Sequence, residues 1–157
     1  MLQVSREVLE SFKQFDSPTI FNAVVLKLGL PNEDYTDHRI CCLLPELGPI
    51  IGYAVTAEVT TNDADSVVLP WEDYYGQIDA IDGPVVAVMK DVDSRPGRGA
   101  SFGDGMARLH QRLGAVGAIV DGTVRDLAGI RGVGLPIYAW GTVPGHGVFN
   151  VTRVGAP

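Results

Sequence analysis

Residues 84–140 decide the fold: PVVAVMKDVDSRPGRGASFGDGMARLHQRLGAVGAIVDGTVRDLAGIRGVGLPIYAW. Pro84 to Met89 is a continuous apolar run, the pattern of a strand buried on both faces. A glycine-rich loop, Ser94 to Gly103, follows it. Helical spacing then sets in over 104–113, with Met106, Leu109 and Leu113 on one side and Gly114 as the stop. A second buried run covers Ala115 to Val120, a polar turn Asp121 to Asp126, a short helical segment 127–131, and a third run 135–140. Strand, helix, strand, short helix, strand is a βαβ pattern with right-handed crossovers, so the three runs should share one parallel sheet.

Upstream, residues 50–60 alternate, placing Ile51, Tyr53, Val55, Ala57 and Val59 on one face of a strand, with mixed β structure expected around 40–60. The N-terminus carries two short helices. Ser5 caps the first, which repeats Val8, Leu9, Phe12 and Phe15. Ser17 caps the second, Pro18 opens it, Ile20, Ala23, Val24 and Leu28 form its stripe, and Gly29 ends it ahead of Pro31. Both should pack on the outside or against a neighbouring subunit. Residues 61–80 mix turn formers with Trp71, Tyr74 and Tyr75 and show no assignable element; exposed together, these rings would make a costly patch.

The chain has 157 residues, enough for one domain with a proper core. Apolar residues make up 46% and charged ones 20%, a globular composition and not a disordered one. Twelve Lys and Arg against 19 Asp and Glu leave a net charge of −7, which disfavours general binding to nucleic acid. The 19 glycines and 10 prolines follow no period, so they belong to tight loops, where sites are usually built. The two cysteines, Cys41 and Cys42, are adjacent, which suits neither a disulfide nor a metal site. With no 18-residue apolar stretch and no signal-peptide core, the expectation is a cytoplasmic protein without membrane contact.

In parallel α/β units ligands bind beyond the carboxyl ends of the strands. Three polar clusters fall there: Asp91 with Asp93, Gly103-Asp104-Gly105, and Asp121 with Arg125 and Asp126. At the helix start, Gly105 allows close approach, and the amides of Gly105 and Met106 could hold a small carboxylate. The alternative is that Asp104 only caps its own helix. Arg125 and Asp126, side by side, should point to different sides. The guanidinium fork matches a carboxylate such as a 2-oxo acid offers, and the Asp oxygen suits Mg²⁺ or Mn²⁺. The alternative is a structural ion pair. Gly97, Gly99 and Gly103 miss the dinucleotide spacing, and no Walker loop or nucleophile elbow occurs. His38, His110 and His146 show no ligand spacing; His110 reads as packed or solvated.

Phe102 to Gly114, Gly117 to Asp126 and Gly134 to Gly141 together resemble the RraA-like family, whose motif is D-G-x-x-R-D preceded by G-[DE]-x-x-A and a helix. Weaker similarity reaches Gly52 to Thr56 and Ser17 to Ala23, so nearly the whole chain is covered. The family includes class II pyruvate aldolases acting on 4-hydroxy-4-methyl-2-oxoglutarate and 4-carboxy-4-hydroxy-2-oxoadipate. It also includes the regulator of ribonuclease E activity and members mislabelled as demethylmenaquinone methyltransferases. The resemblance implies a layered β/β/α sandwich of the swivelling type, with a parallel βαβ core, assembled as a trimer or hexamer. It also implies a single domain over residues 1–157, without the C-terminal β segment usual in the family.

Carried onto this sequence, the resemblance has Arg125 bind the pyruvate carboxylate, Asp126 coordinate Mg²⁺ or Mn²⁺ largely through waters, and Asp104 lie near that metal. Gly103, Gly105 and Met106 then border the pyruvyl group. Two departures stand out: Asn22 replaces a residue that is commonly acidic, and the later region that supplies an acid across the subunit interface is lacking. The implied reaction is retro-aldol cleavage of 4-hydroxy-2-oxo dicarboxylic acids to pyruvate, with oxaloacetate decarboxylation as a side activity. The metal is a Lewis acid for the enolate, and a metal-bound water or hydroxide near Asp104 is the candidate base. Lys13, Lys27 and Lys90 give no sign of Schiff-base chemistry. The alternatives are a non-catalytic protein that binds a ribonuclease, and a family member acting on a different 2-oxo or hydroxy acid. In the regulator branch the Asp after the Arg is replaced, whereas Asp126 is present here.

Overall fold

The computed structural model describes residues 4–33, 35–63, 66–147 and 149–155. Its centre is a six-stranded sheet in the order β1-β7-β5-β3-β2-β8, formed by β1 (Cys41–Cys42), β2 (Tyr53–Thr60), β3 (Val85–Asp91), β5 (Ala115–Asp121), β7 (Ile137–Ala139) and β8 (Asn150–Val154). The four inner strands run parallel, while β1 and β8 close the edges antiparallel. The apolar runs at 84–89, 115–120 and 135–140 therefore do lie in one sheet, with the third trimmed to three residues. On β2, Val55, Ala57 and Val59 turn one face into the core, as the alternation requires.

Two short strands form a second sheet. β4 (Ala100–Phe102) and β6 (Thr123–Val124) pair in parallel, so part of the glycine-rich loop and part of the polar turn are strand and not coil. Helix α3 (Trp71–Asp79) occupies the stretch that the sequence left unassigned. It connects β2 to β3, while α4 (Asp104–Arg112) connects β3 to β5 and α5 (Leu127–Val133) connects β5 to β7. The result is a mixed α/β fold with a parallel βαβ core.

The aromatic residues of α3 are not an exposed patch. Tyr74 is fully buried, and Trp71 and Tyr75 are half-buried against the same core. On helix α4 and its C-cap, Met106 and Leu113 pack against the core as expected, but Leu109 is exposed and the fully buried positions are Ala107 and His110. The His110 ring supplies part of the buried surface that leucine was expected to supply.

At the N-terminus, α1 (Arg6–Phe12) is capped by Ser5 and buries only Leu9. Helix α2 (Ser17–Leu28) is capped by Asp16, one residue earlier than the sequence suggests, through a 2.8 Å hydrogen bond from the Thr19 amide. Gly29, at φ 65, ends it as expected. None of its residues is buried, so both helices lie on the outside. No helix among the described residues is long and apolar enough to cross a membrane. Residues 156–157 lie outside the described residues.

Candidate functional site

Gly103 ends β4 and sits at the N-cap position of α4 in an extended conformation, φ −145. Having no side chain, it cannot cap the first-turn amides of Gly105 and Met106, which leaves these donors available to a ligand. Asp104 is therefore the first residue of the helix and not its cap. Its carboxylate lies 3.9 Å from Arg108 Nη2 and packs onto Gly129 of α5, where a Cβ would stand 2.6 Å from Asp104 Cβ. Gly129 is what lets the two helices approach at this point.

On the other side of the site, β6 leads into Arg125, whose amide donates to Phe102 O at 2.9 Å. Asp126 follows with left-handed backbone, φ 56 and ψ 38, at the N-cap of α5, yet its side chain caps nothing. That backbone turn overrides the expectation that neighbouring side chains diverge. Arg125 Nε instead lies 3.2 Å from Asp126 Oδ2, in ion-pair contact. The contact lacks hydrogen-bond geometry, so this buried Nε–H keeps no partner among the described residues. Gly103 makes room for the pair, since a Cβ there would come within 3.0 Å of Asp126 Oδ2 and 3.4 Å of Arg125 Cγ.

These pieces meet in one cavity of about 460 Å³, bordered by Gly103, Asp104, Gly105, Met106, Arg125 and Asp126. All six residues singled out from sequence are brought together. The structure adds three more, Trp71, Tyr75 and Phe149. Trp71 stacks on Tyr75 with centroids 5.4 Å apart, and its Nε1 donates to Phe149 O at 3.1 Å. Phe149 has positive φ, 52°, like Asp126. The aromatic content of residues 71–75 was the only sequence signal for this wall, and it carried no hint of its position.

Behind the wall, His110 Nδ1 donates to Met106 O at 2.7 Å, which leaves Nε2 to accept from the Tyr74 hydroxyl at 3.1 Å. Burial pushes His110 down to about 4, so the imidazole is neutral, and pushes the Tyr74 phenol well above its usual range. Tyr75 is pushed up to about 12 by the same cause. Of the two settings open to it from sequence, packed or solvated, His110 takes the packed one.

The other polar clusters lie outside the cavity. Asp93 accepts from the amides of Thr61, Asn62 and Asp63 and from the Thr61 hydroxyl at 2.6 Å. Burial alone would raise its pKa, but these hydrogen bonds outweigh it and the net shift is downward. Asp91 accepts from the amides of Asp93 and Gly97, and its carboxyl is raised, chiefly by burial. Asp91 thus ties down the 94–99 loop at Gly97, while Asp93 holds residues 61–63. Asp121 accepts from Trp140 Nε1 at 2.9 Å, which ties the end of β5 to the residue after β7.

No group of three or more His, Cys, Asp or Glu suited to a metal occurs among the described residues. The cavity does offer two carboxylates, Asp104 and Asp126, one of them left uncommitted by its own helix. Such a donor set fits a hard divalent cation that keeps most of its waters, and does not fit a closed nitrogen and sulfur shell.

The family model described as RraA-like, Aldolase/RraA, matches residues 18–156. Among solved structures, an unusual member of the RNase ES inhibitor RraA protein family from Streptomyces coelicolor is similar, with TM-score 0.74 and 23% identity over 100% of this chain and 75% of that one. A structure described as belonging to novel cellulases from gut-associated microbes gives 0.72 and 21%, over 99% of this chain and 67% of that one. The RNA-processing inhibitor RraA from Thermus thermophilis gives 0.53 and 18%, over 85% and 72%. At these identities the structures speak for the fold. The search among curated proteins found no match.

Proposed function

This chain belongs to the RraA-like (Aldolase/RraA) family, and from that premise we propose that it is a divalent-metal-dependent lyase that releases pyruvate from 4-hydroxy-2-oxo acids. The observation that carries the reading is the convergence of one guanidinium, two carboxylates and an uncapped helix start on a single cavity. Oxaloacetate decarboxylation, which passes through the same enolate, is the expected side activity.

Arg125 binds the carboxylate of the 2-oxo acid, and the amides of Gly105 and Met106 orient the pyruvyl group beside it. Asp126 and Asp104 would hold Mg²⁺ or Mn²⁺, largely through waters. When bound, that cation supplies Lewis acidity toward the enolate oxygen. Asp104 is placed to orient a water that takes the proton from the 4-hydroxyl group as the carbon–carbon bond breaks. Gly103 keeps the space that this arrangement needs.

We further propose a cytoplasmic homotrimer or hexamer. The exposed apolar side chains of α1, α2 and the turn between them, among them Phe12, Phe15, Leu26 and Leu28, support assembly better than the α3 aromatics, which are packed inside. A role as a ribonuclease-binding regulator is the competing reading, and the carboxylate of Asp126 beside Arg125 favours the lyase. The test is a screen of oxaloacetate and 4-hydroxy-2-oxo acids with Mg²⁺ or Mn²⁺ against a chelator control. Pyruvate release that the chelator abolishes is the expected result; none under any condition would end the lyase reading.

A further inference from the structure

We infer that the cavity prefers 4-hydroxy-2-oxo acids whose carbinol carbon bears an aromatic or other apolar group over those bearing a second carboxylate. The inference rests on the lyase reading above and changes one part of it, the dicarboxylic class that the family resemblance implies. Among the described residues lining the cavity, Arg125 is the one cation. The pyruvyl carboxylate needs it, and Asp126 already lies 3.2 Å away. Arg108 lies outside the lining, and its guanidinium faces Asp104 at 3.9 Å.

With the divalent cation balanced by Asp104 and Asp126, and Arg125 by the pyruvyl carboxylate, a second carboxylate would meet no further cation among the described lining residues. Removing such a group from water without a partner is unfavourable. The remaining wall is apolar: Trp71, Tyr75, Phe149 and the Met106 side chain. It is also preorganised. Trp71 is stacked on Tyr75, edge-on to Tyr74 at 6.0 Å, and tied to the Phe149 carbonyl, while Tyr75 meets the His110 ring edge at 5.4 Å. Flat rings held in this way offer offset or edge contacts to a planar apolar substituent without having to be ordered on binding.

For 4-hydroxy-2-oxo-4-phenylbutanoate the products are benzaldehyde and pyruvate. The carbinol hydroxyl loses its proton, the bond between the carbinol carbon and the methylene breaks, and its electron pair stays on the pyruvyl fragment as enolate. One proton returned to that carbon completes the balance.

Three probes with the full chain and Mn²⁺ test this. Exchange of pyruvate methyl protons in D₂O reports enolate chemistry alone. Cleavage of 4-hydroxy-2-oxo-4-phenylbutanoate and of 4-hydroxy-2-oxoglutarate compares the two substituents on matched secondary alcohols. The expected result is exchange, together with kcat/KM at least about tenfold higher for the phenyl acid. Trp71→Arg, which brings a guanidinium to the wall, should narrow or reverse that ratio. Exchange with equal or better cleavage of the dicarboxylate would overturn the preference and leave the lyase reading standing. Absence of exchange with both Mn²⁺ and Mg²⁺ would remove the reading and the preference together. If Trp71→Arg fails to fold, the wild-type ratio still decides.

Discussion

Asp126 and Phe149 are the two non-glycine residues with left-handed backbone among the described residues, and both border the same cavity. Such backbone costs of order 1–3 kcal/mol at each position and persists where the surroundings enforce it. At Asp126 it turns the carboxylate back toward Arg125 and away from the helix that it would otherwise cap. At Phe149 it accompanies a carbonyl held by the Trp71 indole. Both departures from ordinary geometry shape the one cavity that also holds the charged groups.

Gly103→Ala separates the site from the fold. The backbone there is extended, so alanine brings no conformational strain, but its Cβ would press within 3.0 Å of Asp126 Oδ2. Displacing the pair by even a fraction of an ångström should lower kcat/KM by about tenfold or more. The melting temperature should barely move. Steady-state kinetics and a thermal melt on the same preparation check this.

Arg125→Lys keeps the charge and loses the planar fork. The expected defect is an increase of about tenfold in KM for pyruvate-like acids with little change in kcat, since the lost contact exists equally in ground and transition states. An unchanged KM with a lowered melting temperature would instead mark the Arg125–Asp126 contact as structural.

Asp93 serves stability and not binding. Its fully buried carboxylate takes four hydrogen bonds from residues 61–63. Asp93→Ala orphans those donors and should destabilise the fold by about 3 kcal/mol. KM should remain at its wild-type value in whatever fraction stays folded. Denaturant melts together with saturation kinetics separate the two effects.

His110 makes acid sensitivity predictable. In the unfolded chain it titrates near 6.5, and in the fold only near 4, because burial disfavours the charged ring. Between these values the unfolded chain binds a proton that the folded chain does not. Its contribution is therefore full above pH 6.5 and is lost as the pH falls toward 4, by about 3 kcal/mol in all. Urea melts across pH 4–7 should show this slope, and His110→Gln should flatten it.

The parallel core was legible because buried strands write themselves as unbroken apolar runs, and the runs beginning at Pro84, Ala115 and Leu135 are of that kind. The six residues that border the cavity were legible through a family motif and through glycines around acids at a helix start. What stayed hidden was tertiary. β4 and β6 are two or three residues long, made of Ala, Ser, Phe, Thr and Val amid glycines, and become strands by pairing with each other and with residues 142–146. Helix α3 begins at Pro70 without a capping side chain, so its start carries no cap signal. The aromatic wall joins residues 71–75 to residue 149, a closeness that no local pattern encodes. The burial of His110 in place of Leu109 is likewise tertiary, since its hydrogen-bond partner Tyr74 comes from α3.

The central claim is that Asp126 serves a divalent cation while Arg125 serves the substrate. The most direct measurement is Mn²⁺-dependent pyruvate release from oxaloacetate by wild type and by Asp126→Ala, each with and without chelator. Asp126 lies outside the apolar core and caps no helix with its side chain, so the variant should stay folded. Its metal-dependent kcat/KM should fall by about a thousandfold, to the chelator baseline. Full Mn²⁺-dependent activity in a folded Asp126→Ala variant would contradict the account.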